Sequence, residues 1–224
     1  SVPMIDNHIH TNWTDGEISA SAVLTEAEDA GVHAIVFSEH SSIASCEWFL
    51  DFADEVKQLR SKVTKVRVGT EVRICDFQGN VAIHPSVRKI CDLVIASVHR
   101  FPDQNGKPMS FELSSALDVV SIEMELMMSA IRARNCDVIG HPFGMSLLRY
   151  HQMPNQDFWS KLVGEASKYK VALELNSKYH SPEVLEMLTK MVISENALVS
   201  IGSDVHKKGE VGKCAKLIKE ITNV

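Results

Sequence analysis

The chain has 224 residues, of which 45% are hydrophobic and 23% are charged, and its formal net charge at pH 7 is −6. This length and composition are typical of one globular domain, and we expect residues 1–224 to form it. The acidic balance argues against binding of long nucleic acid, which requires a basic surface. No apolar run approaches the roughly 18 residues of a membrane span, and the first residues lack a signal-peptide pattern, so we expect a cytoplasmic protein that does not bind membranes.

Strand and helix patterns alternate along the whole sequence. Short apolar runs predict strands at 4–8, 33–38, 65–74, 92–98, 137–140, 170–175 and 197–202. Helical patterns follow them, including one over 47–62, and the candidate N-caps are Ser19 or Ser21, Ser114 or Ser115, and Ser181. Unbroken apolar strands are typical of parallel sheets with both faces buried. The alternation predicts an α/β fold, either a barrel or an open doubly wound sheet.

Potential metal ligands come at or just after the ends of the predicted strands. His8 and His10 end the first strand, and residues two apart on a strand point to the same face. In a barrel the C-terminal strand ends converge on one face, so we expect ligands from distant parts of the chain to meet there. The candidates are His8, His10, Asp15, His40, Glu71, His99, His141, Asp204 and His206.

Nine candidate ligands are too many for one ion, since zinc takes about four. We therefore expect two or three divalent ions, and the mixture of nitrogen and oxygen ligands suits Zn, Mn or Fe. Three carboxylates against two or three divalent ions leave the filled site positive, which suits an anionic substrate. Such ions lower the pKa of bound water, and paired ions can bind the attacking and leaving oxygens at phosphorus.

The same residues fall in seven motifs: His8-Ile9-His10, Thr14-Asp15-Gly16, Ser38-Glu39-His40, Gly69-Thr70-Glu71, Ser97-Val98-His99, Gly140-His141-Pro142 and Gly202-Ser203-Asp204-Val205-His206. With these motifs the sequence resembles the PHP (polymerase and histidinol phosphatase) family over essentially its whole length. The resemblance implies a distorted (β/α)7 TIM-like barrel. It also implies hydrolysis of a phosphoester by a metal-bridging hydroxide, with Glu71, Asp204 and His206 as catalytic residues.

The family pattern further implies three groups of ligands. The first ion would be held by His8, His10, Glu71 and Asp204, the second by Asp15, His40 and His206, and the third by Glu71, His99 and His141, with Glu71 bridging. The implied substrate is a small phosphorylated metabolite, a nucleotide or a short oligonucleotide. Histidinol phosphate is one specific alternative.

Cationic residues near the strand ends are candidates for substrate binding, because phosphate oxygens are usually met by positive side chains. We favour Arg100, Arg149 and Lys178, although a solvated surface charge is the common alternative. Asn176 is placed either to orient a ligand or substrate or to cap the next helix. His151 and His180 lie in loops and are weaker candidates for substrate contact.

Two other functions use similar residues. An amidohydrolase also begins with His-x-His on a barrel, but it typically adds a carboxylated Lys or a Glu, and no Lys sits at a strand end between His10 and His99. A PHP domain of a DNA polymerase is a binding or structural alternative. The complete set of candidate ligands favours an active phosphoesterase over both.

Overall fold

The computed structural model describes residues 1–114 and 116–222. Over these residues seven parallel strands form one sheet, in which each strand pairs with the next one along the chain. The sheet contains β1 (Ile5–Ile9), β2 (Ala34–His40), β3 (Lys65–Arg73), β4 (Leu93–Ser97), β5 (Val138–Ile139), β6 (Ala172–Asn176) and β7 (Val199–Gly202). β2 is longer than predicted because it continues through Glu39 to His40, which pairs with Glu71 of β3.

The first and last strands bring the sheet close to a closed barrel. Ile9 forms a parallel bridge with Val205, just beyond β7. The His10 N–H donates to the Val205 carbonyl (2.8 Å), and the Val205 N–H donates to the His8 carbonyl (3.0 Å). The predicted (β/α)7 TIM-like barrel is therefore confirmed, and the open doubly wound sheet is wrong.

Helices separate the strands, and side-chain caps fix several of their starts. The Ser19 and Ser181 side chains accept hydrogen bonds from the Ala22 and Val184 N–H groups, so these two predicted caps are confirmed. The helices are α1 (Ala20–Asp29), α2 (Glu47–Gln58), α3 (Pro85–Ile90), α4 (Phe111–Ser114), α5 (Val119–Ala133), α6 (Gln156–Tyr169), α7 (Pro182–Ser194) and α8 (Lys213–Thr222), with a π-helical turn at Met145–Arg149.

Two helix boundaries differ from the prediction. The helix predicted to start at Ser114 or Ser115 begins instead at Val119, where the Asp118 side chain accepts from the Ser121 N–H. Ser114 ends the short helix α4, and Ser115 lies outside the described residues. The predicted extension of α2 to residue 62 is wrong, because Leu59 has an extended backbone with ψ of 140° and ends the helix.

Apolar side chains of strands and helices fill one large core, which includes Phe37 of β2 and Trp159 of α6. Towards the C-terminal ends of the strands there are also buried charged residues, such as Glu71 and Glu174. Burying charged groups is costly unless they are paired or bind ions, so this end of the barrel is where function is expected. Among the described residues, no helix has the length and apolar character needed to cross a bilayer.

Candidate metal centre

All nine predicted metal ligands lie in one connected cluster at the C-terminal end of the barrel. Each has a ring nitrogen or carboxylate oxygen within 3.6 Å of such an atom in another member of the set. His8 and His10 point to the same side of the chain, as predicted, and their Nε2 atoms are 3.1 Å apart. Asp15 and His206 meet there although they are 191 positions apart in the sequence.

Glu71 is at the centre of this cluster and contacts five imidazoles. Its Oε2 accepts a hydrogen bond from the Ser97 hydroxyl (2.7 Å). Its Oε1 lies 3.0, 3.3 and 3.4 Å from nitrogens of His8, His10 and His40, and its Oε2 lies 3.1 and 3.2 Å from the Nε2 atoms of His99 and His141. One carboxylate therefore connects both sides of the site.

The cluster has a buried floor and an open rim. The side chains of His8 and His10 are 0% exposed, and that of Glu71 is 1% exposed. Asp15 is 54% exposed, and its Oδ2 lies 3.4 Å from His40 Nε2 and 3.2 Å from His206 Nε2. A substrate can therefore approach from the side of Asp15.

Two of the ligands have unusual backbones. His141 and Asp204 have positive φ angles of 25° and 54°, a region that residues other than glycine rarely adopt. Such strain is typically found at functional sites, where the surrounding structure holds it. A close approach also explains Gly202, because a Cβ there would collide with the Glu174 carboxylate and with His8.

The tautomers of two imidazoles indicate that the site requires a cation or a proton between ring nitrogens and carboxylates. His8 Nδ1 faces the Glu174 carboxylate, which accepts, so Nδ1 carries the proton and Nε2 has the lone pair. That lone pair faces carboxylate oxygens of Glu71 (3.0 Å) and Asp204 (3.5 Å). Likewise, His206 Nδ1 donates to the Asp204 carbonyl (2.8 Å), which leaves its Nε2 lone pair facing Asp15. Lone pairs and carboxylates at these distances repel unless a cation or a proton lies between them.

The donor atoms form three groups with the spacing of metal ligands. The pair of His8 and Glu174 is also the arrangement that commonly supports a metal-binding imidazole. Within each group all donor atoms lie within 4.8 Å of one another: His8, His10, Glu71 and Asp204; His10, Asp15, His40 and His206; and His40, Glu71 and His99. The residues present therefore fit divalent metal ions.

The pKa shifts follow from the same concentration of charge. Burial alone would lower the pKa of His8, but Asp204, Glu174 and Glu71 raise it well above its usual range. Burial would raise the pKa of Glu71, but His8 and its other imidazole neighbours hold it well below its usual range. The pKa of Asp15 is lowered, mainly by its hydrogen bond with His40. The site thus stabilises positive charge, which divalent ions would supply.

Sequence reasoning missed two buried carboxylates that support the ligands. Glu174 of β6 faces His8 and also accepts from the His141 N–H (2.7 Å). Glu39 accepts from the Thr11 N–H and hydroxyl, and its Oε1 lies 3.6 Å from His10 Nδ1. A single charge between apolar strand residues was the signal for Glu174, whereas Glu39 follows the predicted strand 33–38 and stands between Ser38 and His40.

The loop after β6 supports the site from one side. Asn176 holds a candidate ligand, since its Nδ2 donates to Asp204 Oδ2 (3.2 Å), and its Oδ1 accepts from the Lys178 N–H. The ring of Tyr179, which sequence reasoning also missed, stacks on His141 with centroids 3.9 Å apart. This loop therefore contacts both Asp204 and His141 and also carries Lys178.

His180 has a structural role in the same loop. Its Nδ1 accepts from the Asn176 N–H (3.2 Å), and its Nε2 donates to the Pro142 carbonyl (2.9 Å). Burial lowers the pKa of His180 to about 4. Both nitrogens are thus occupied, and this neutral side chain is not free to contact substrate.

The three cations predicted to bind substrate lie in two places. Lys178 Nζ is 3.2 Å from His206 Nδ1, at the rim of the metal centre. Arg100 and Arg149 both stack on the ring of Phe111, with their Cζ atoms 3.6 and 3.7 Å from its centroid.

Comparison with known proteins agrees with the fold and identifies the family. The sequence model of the PHP domain matches residues 6–178, which is most of the chain. The chain belongs to the PHP domain family. The matched range includes seven of the nine candidate ligands, and Asp204 and His206 follow it.

Several relatives of this PHP domain chain are named as phosphatases. A probable phosphatase of Thermoanaerobacter sp. (strain X514) is 26% identical over 98% of this chain and 86% of its own length. A probable phosphatase of Vibrio atlanticus is 27% identical over 93% of this chain and 80% of its own length. The predicted class of enzyme, a metal-dependent phosphoester hydrolase, agrees with the family and with these relatives.

A solved structure has the same fold. The histidinol phosphate phosphatase of Lactococcus lactis, in complex with zinc, L-histidinol and phosphate, aligns with a TM-score of 0.72 over 99% of this chain and 94% of its own. The sequence identity is 19%, so the similarity shows that the two proteins share a barrel fold and does not identify the substrate of this chain.

Proposed function

We propose that this chain is a metal-dependent phosphatase that acts on a small phosphorylated molecule and uses two or three divalent ions. The observation that carries the proposal is the close approach of the buried His8 Nε2 to the carboxylates of Glu71 and Asp204, at 3.0 and 3.5 Å. A divalent ion would bind these donor atoms together, and they are the ligand types that zinc, manganese and iron accept.

We assign the ions to the three groups of ligands around Glu71. The contacts of its Oε2 with His99 and His141, at 3.1 and 3.2 Å, support adding His141 to the third group. Glu71, Asp204 and His206 would then act as catalytic residues by holding ions at the reacting phosphate. The three carboxylate ligands and the buried carboxylates Glu39 and Glu174 carry five negative charges, so three divalent ions would leave a positive site, which favours an anionic substrate over the neutral amides of an amidohydrolase.

When bound, the ions would supply Lewis acidity to the phosphoryl group and a nucleophile at neutral pH by lowering the pKa of water. The chain's own contribution is the exclusion of bulk water from the floor, where His8 and His10 are fully buried. Low solvent exposure strengthens each electrostatic contact with the phosphate. The exposed rim at Asp15 leaves room for the leaving group.

Lys178 is suited to bind the phosphate directly. Its Nζ lies 3.2 Å from His206 Nδ1, but that nitrogen already donates to the Asp204 carbonyl at 2.8 Å. An ammonium group cannot donate to a nitrogen that itself carries a proton. The charge of Lys178 therefore remains available for a phosphate oxygen.

The test is turnover by protein loaded separately with Zn, Mn and Fe. The panel contains p-nitrophenyl phosphate, bis(p-nitrophenyl) phosphate, histidinol phosphate, nucleoside monophosphates and an amide or lactone substrate typical of amidohydrolases. We expect metal-dependent hydrolysis of phosphomonoesters. Hydrolysis of the amide or lactone with no phosphoester turnover would overturn the proposal in favour of an amidohydrolase.

A further inference from the structure

Two arginines from different loops converge on one aromatic ring near the metal centre. The Cζ atoms of Arg100 and Arg149 lie 3.6 and 3.7 Å from the centroid of the Phe111 ring. Two guanidinium groups at this distance cannot share one face of the ring, so they lie on opposite faces. Their Cζ atoms are then at most about 7 Å apart.

This arrangement brings together two positive charges for which the described residues provide no ion-pair partner. Neither guanidinium forms an ion pair or a side-chain hydrogen bond with the part of the chain that the structure describes. Bringing like charges this close is unfavourable unless something compensates for it. One face of each guanidinium packs against the Phe111 ring, and the N–H edges remain available for the oxygens of an anion.

The loops around the pair are held by specific contacts. Arg100 directly follows the candidate ligand His99, and the ring of the next residue, Phe101, stacks on Tyr150 with centroids 5.8 Å apart. This stack joins the loop after β4 to the loop that carries Arg149. The two arginines are thus fixed relative to each other and to the metal centre.

Arg149 also ends an unusual piece of backbone. The π-helical turn Met145–Arg149 begins where the buried Glu123 carboxylate accepts hydrogen bonds from the Met145 N–H (3.1 Å) and the Ser146 N–H (2.7 Å). π-Helical turns are rare and are frequently found at functional sites. Burying the Glu123 carboxylate to hold this turn costs free energy. This cost favours a functional role for Arg149 over that of a solvated surface charge.

We propose that Arg100 and Arg149, held on the two faces of Phe111, form a second anion-binding subsite beside the metal centre. The substrate is then a phosphoester that carries another anionic group, a carboxylate or a second phosphate, besides the phosphate that is cleaved. This inference rests on the proposed phosphatase function. It disfavours histidinol phosphate, whose amino group is protonated at neutral pH.

Binding of non-hydrolysable phosphonates tests the subsite without requiring turnover. Isothermal titration calorimetry on the metal-loaded protein would compare 3-phosphonopropionate and 4-phosphonobutyrate with propylphosphonate and butylphosphonate, which lack the carboxylate. We expect at least one acid to bind about tenfold more tightly than its alkyl partner, because hydrogen bonds between charged groups contribute that much. Equal affinities within both pairs would overturn the proposal.

Variants show whether the preference comes from this cluster. Arg100→Gln and Arg149→Gln should each reduce the preference for the acid to less than about threefold, since each leaves one guanidinium. Arg132→Gln is the matched control, because Arg132 is an exposed arginine that pairs with Glu165 on neighbouring helices. A preference that survives in both Arg100→Gln and Arg149→Gln would refute the assignment.

Phe111 is a positioning residue, and its role has a separate readout. Phe111→Tyr retains an aromatic face and should keep the preference, whereas Phe111→Leu retains apolar bulk and should lose it. A purely structural role for Phe111 would change the melting temperature without changing the ratio of the two affinities. A preference kept by Phe111→Leu would overturn the positioning role.

A different measurement tests the proposed phosphatase function independently of the subsite. Turnover of p-nitrophenyl phosphate, which has no second anion, reports on phosphatase activity without requiring the subsite. If the protein binds the carboxylated phosphonates more tightly but hydrolyses no phosphoester, the subsite is supported and the phosphatase function is refuted. A protein that hydrolyses p-nitrophenyl phosphate but shows no preference would refute the subsite alone.

Discussion

Replacing Glu71 with Gln should disable the metal centre while leaving its shape intact. The Glu71 carboxylate is buried, and its oxygens lie 3.0–3.4 Å from nitrogens of five imidazoles. Two unit charges about 4 Å apart interact by about 4 kcal/mol at an effective dielectric constant of about 20, and the double charge of a divalent ion makes this figure a lower bound. Loss of that interaction with one ion should weaken its binding by at least about a thousandfold, and turnover at limiting metal should fall in parallel.

Competition with a chromophoric chelator would measure metal affinity, and turnover of p-nitrophenyl phosphate would measure activity. Glu186→Gln is the matched control, because Glu186 is an exposed carboxylate paired with Lys190 on α7. Circular dichroism would show that Glu71→Gln still folds. Metal affinity within about tenfold of the unmodified protein, together with unchanged turnover, would refute the central role of Glu71.

Three further predictions follow from the neighbouring residues. Glu174→Gln removes the charge that faces His8 Nδ1, so metal affinity should fall by about 10- to 100-fold and excess metal should restore activity; unchanged affinity would contradict this. Lys178→Met should lower kcat/KM for p-nitrophenyl phosphate about tenfold through the loss of a charged hydrogen bond, whereas the same change at the exposed Lys190 should have no effect. Burial lowers the pKa of His180 to about 4 in the folded chain, so as the pH falls this histidine is protonated in the unfolded chain before it is protonated in the folded one. The stability that neutral His180 contributes is present above about pH 6.5 and lost towards about pH 4, a change of about 3 kcal/mol in the free energy of unfolding. Denaturant titrations of His180→Gln should show a shallower loss over this range, and equal slopes would contradict the assignment.

The placement of the candidate ligands could be predicted because it follows from the regular alternation of strands and helices. Parallel strands that alternate with helices bring their C-terminal ends to one face, so ligands at strand ends, such as His10 and His99, must approach each other. The boundaries of the elements were less predictable. His40 belongs to β2 because it pairs with Glu71 of β3, and that register depends on the neighbouring strand rather than on the local sequence.

Residues that act through contacts between distant segments could not be predicted. Glu174 lies 166 positions from His8, and its local sequence shows only one charge within an apolar strand. The start of α5 was ambiguous for a related reason, since several capping residues precede it and Asp118 is the one that accepts from the Ser121 N–H. The shared stacking of Arg100 and Arg149 on one ring likewise depends on how two long loops pack.

Metal content measured together with turnover tests the central claim most directly. Protein stripped with a chelator would receive Zn or Mn in steps, and bound metal and p-nitrophenyl phosphate hydrolysis would be measured at each step. The nine clustered ligands predict that two or three ions bind per chain and that hydrolysis rises with bound metal. Binding of less than one ion per chain, or turnover that does not depend on metal, would contradict the assignment of this site as the metal centre of a phosphatase.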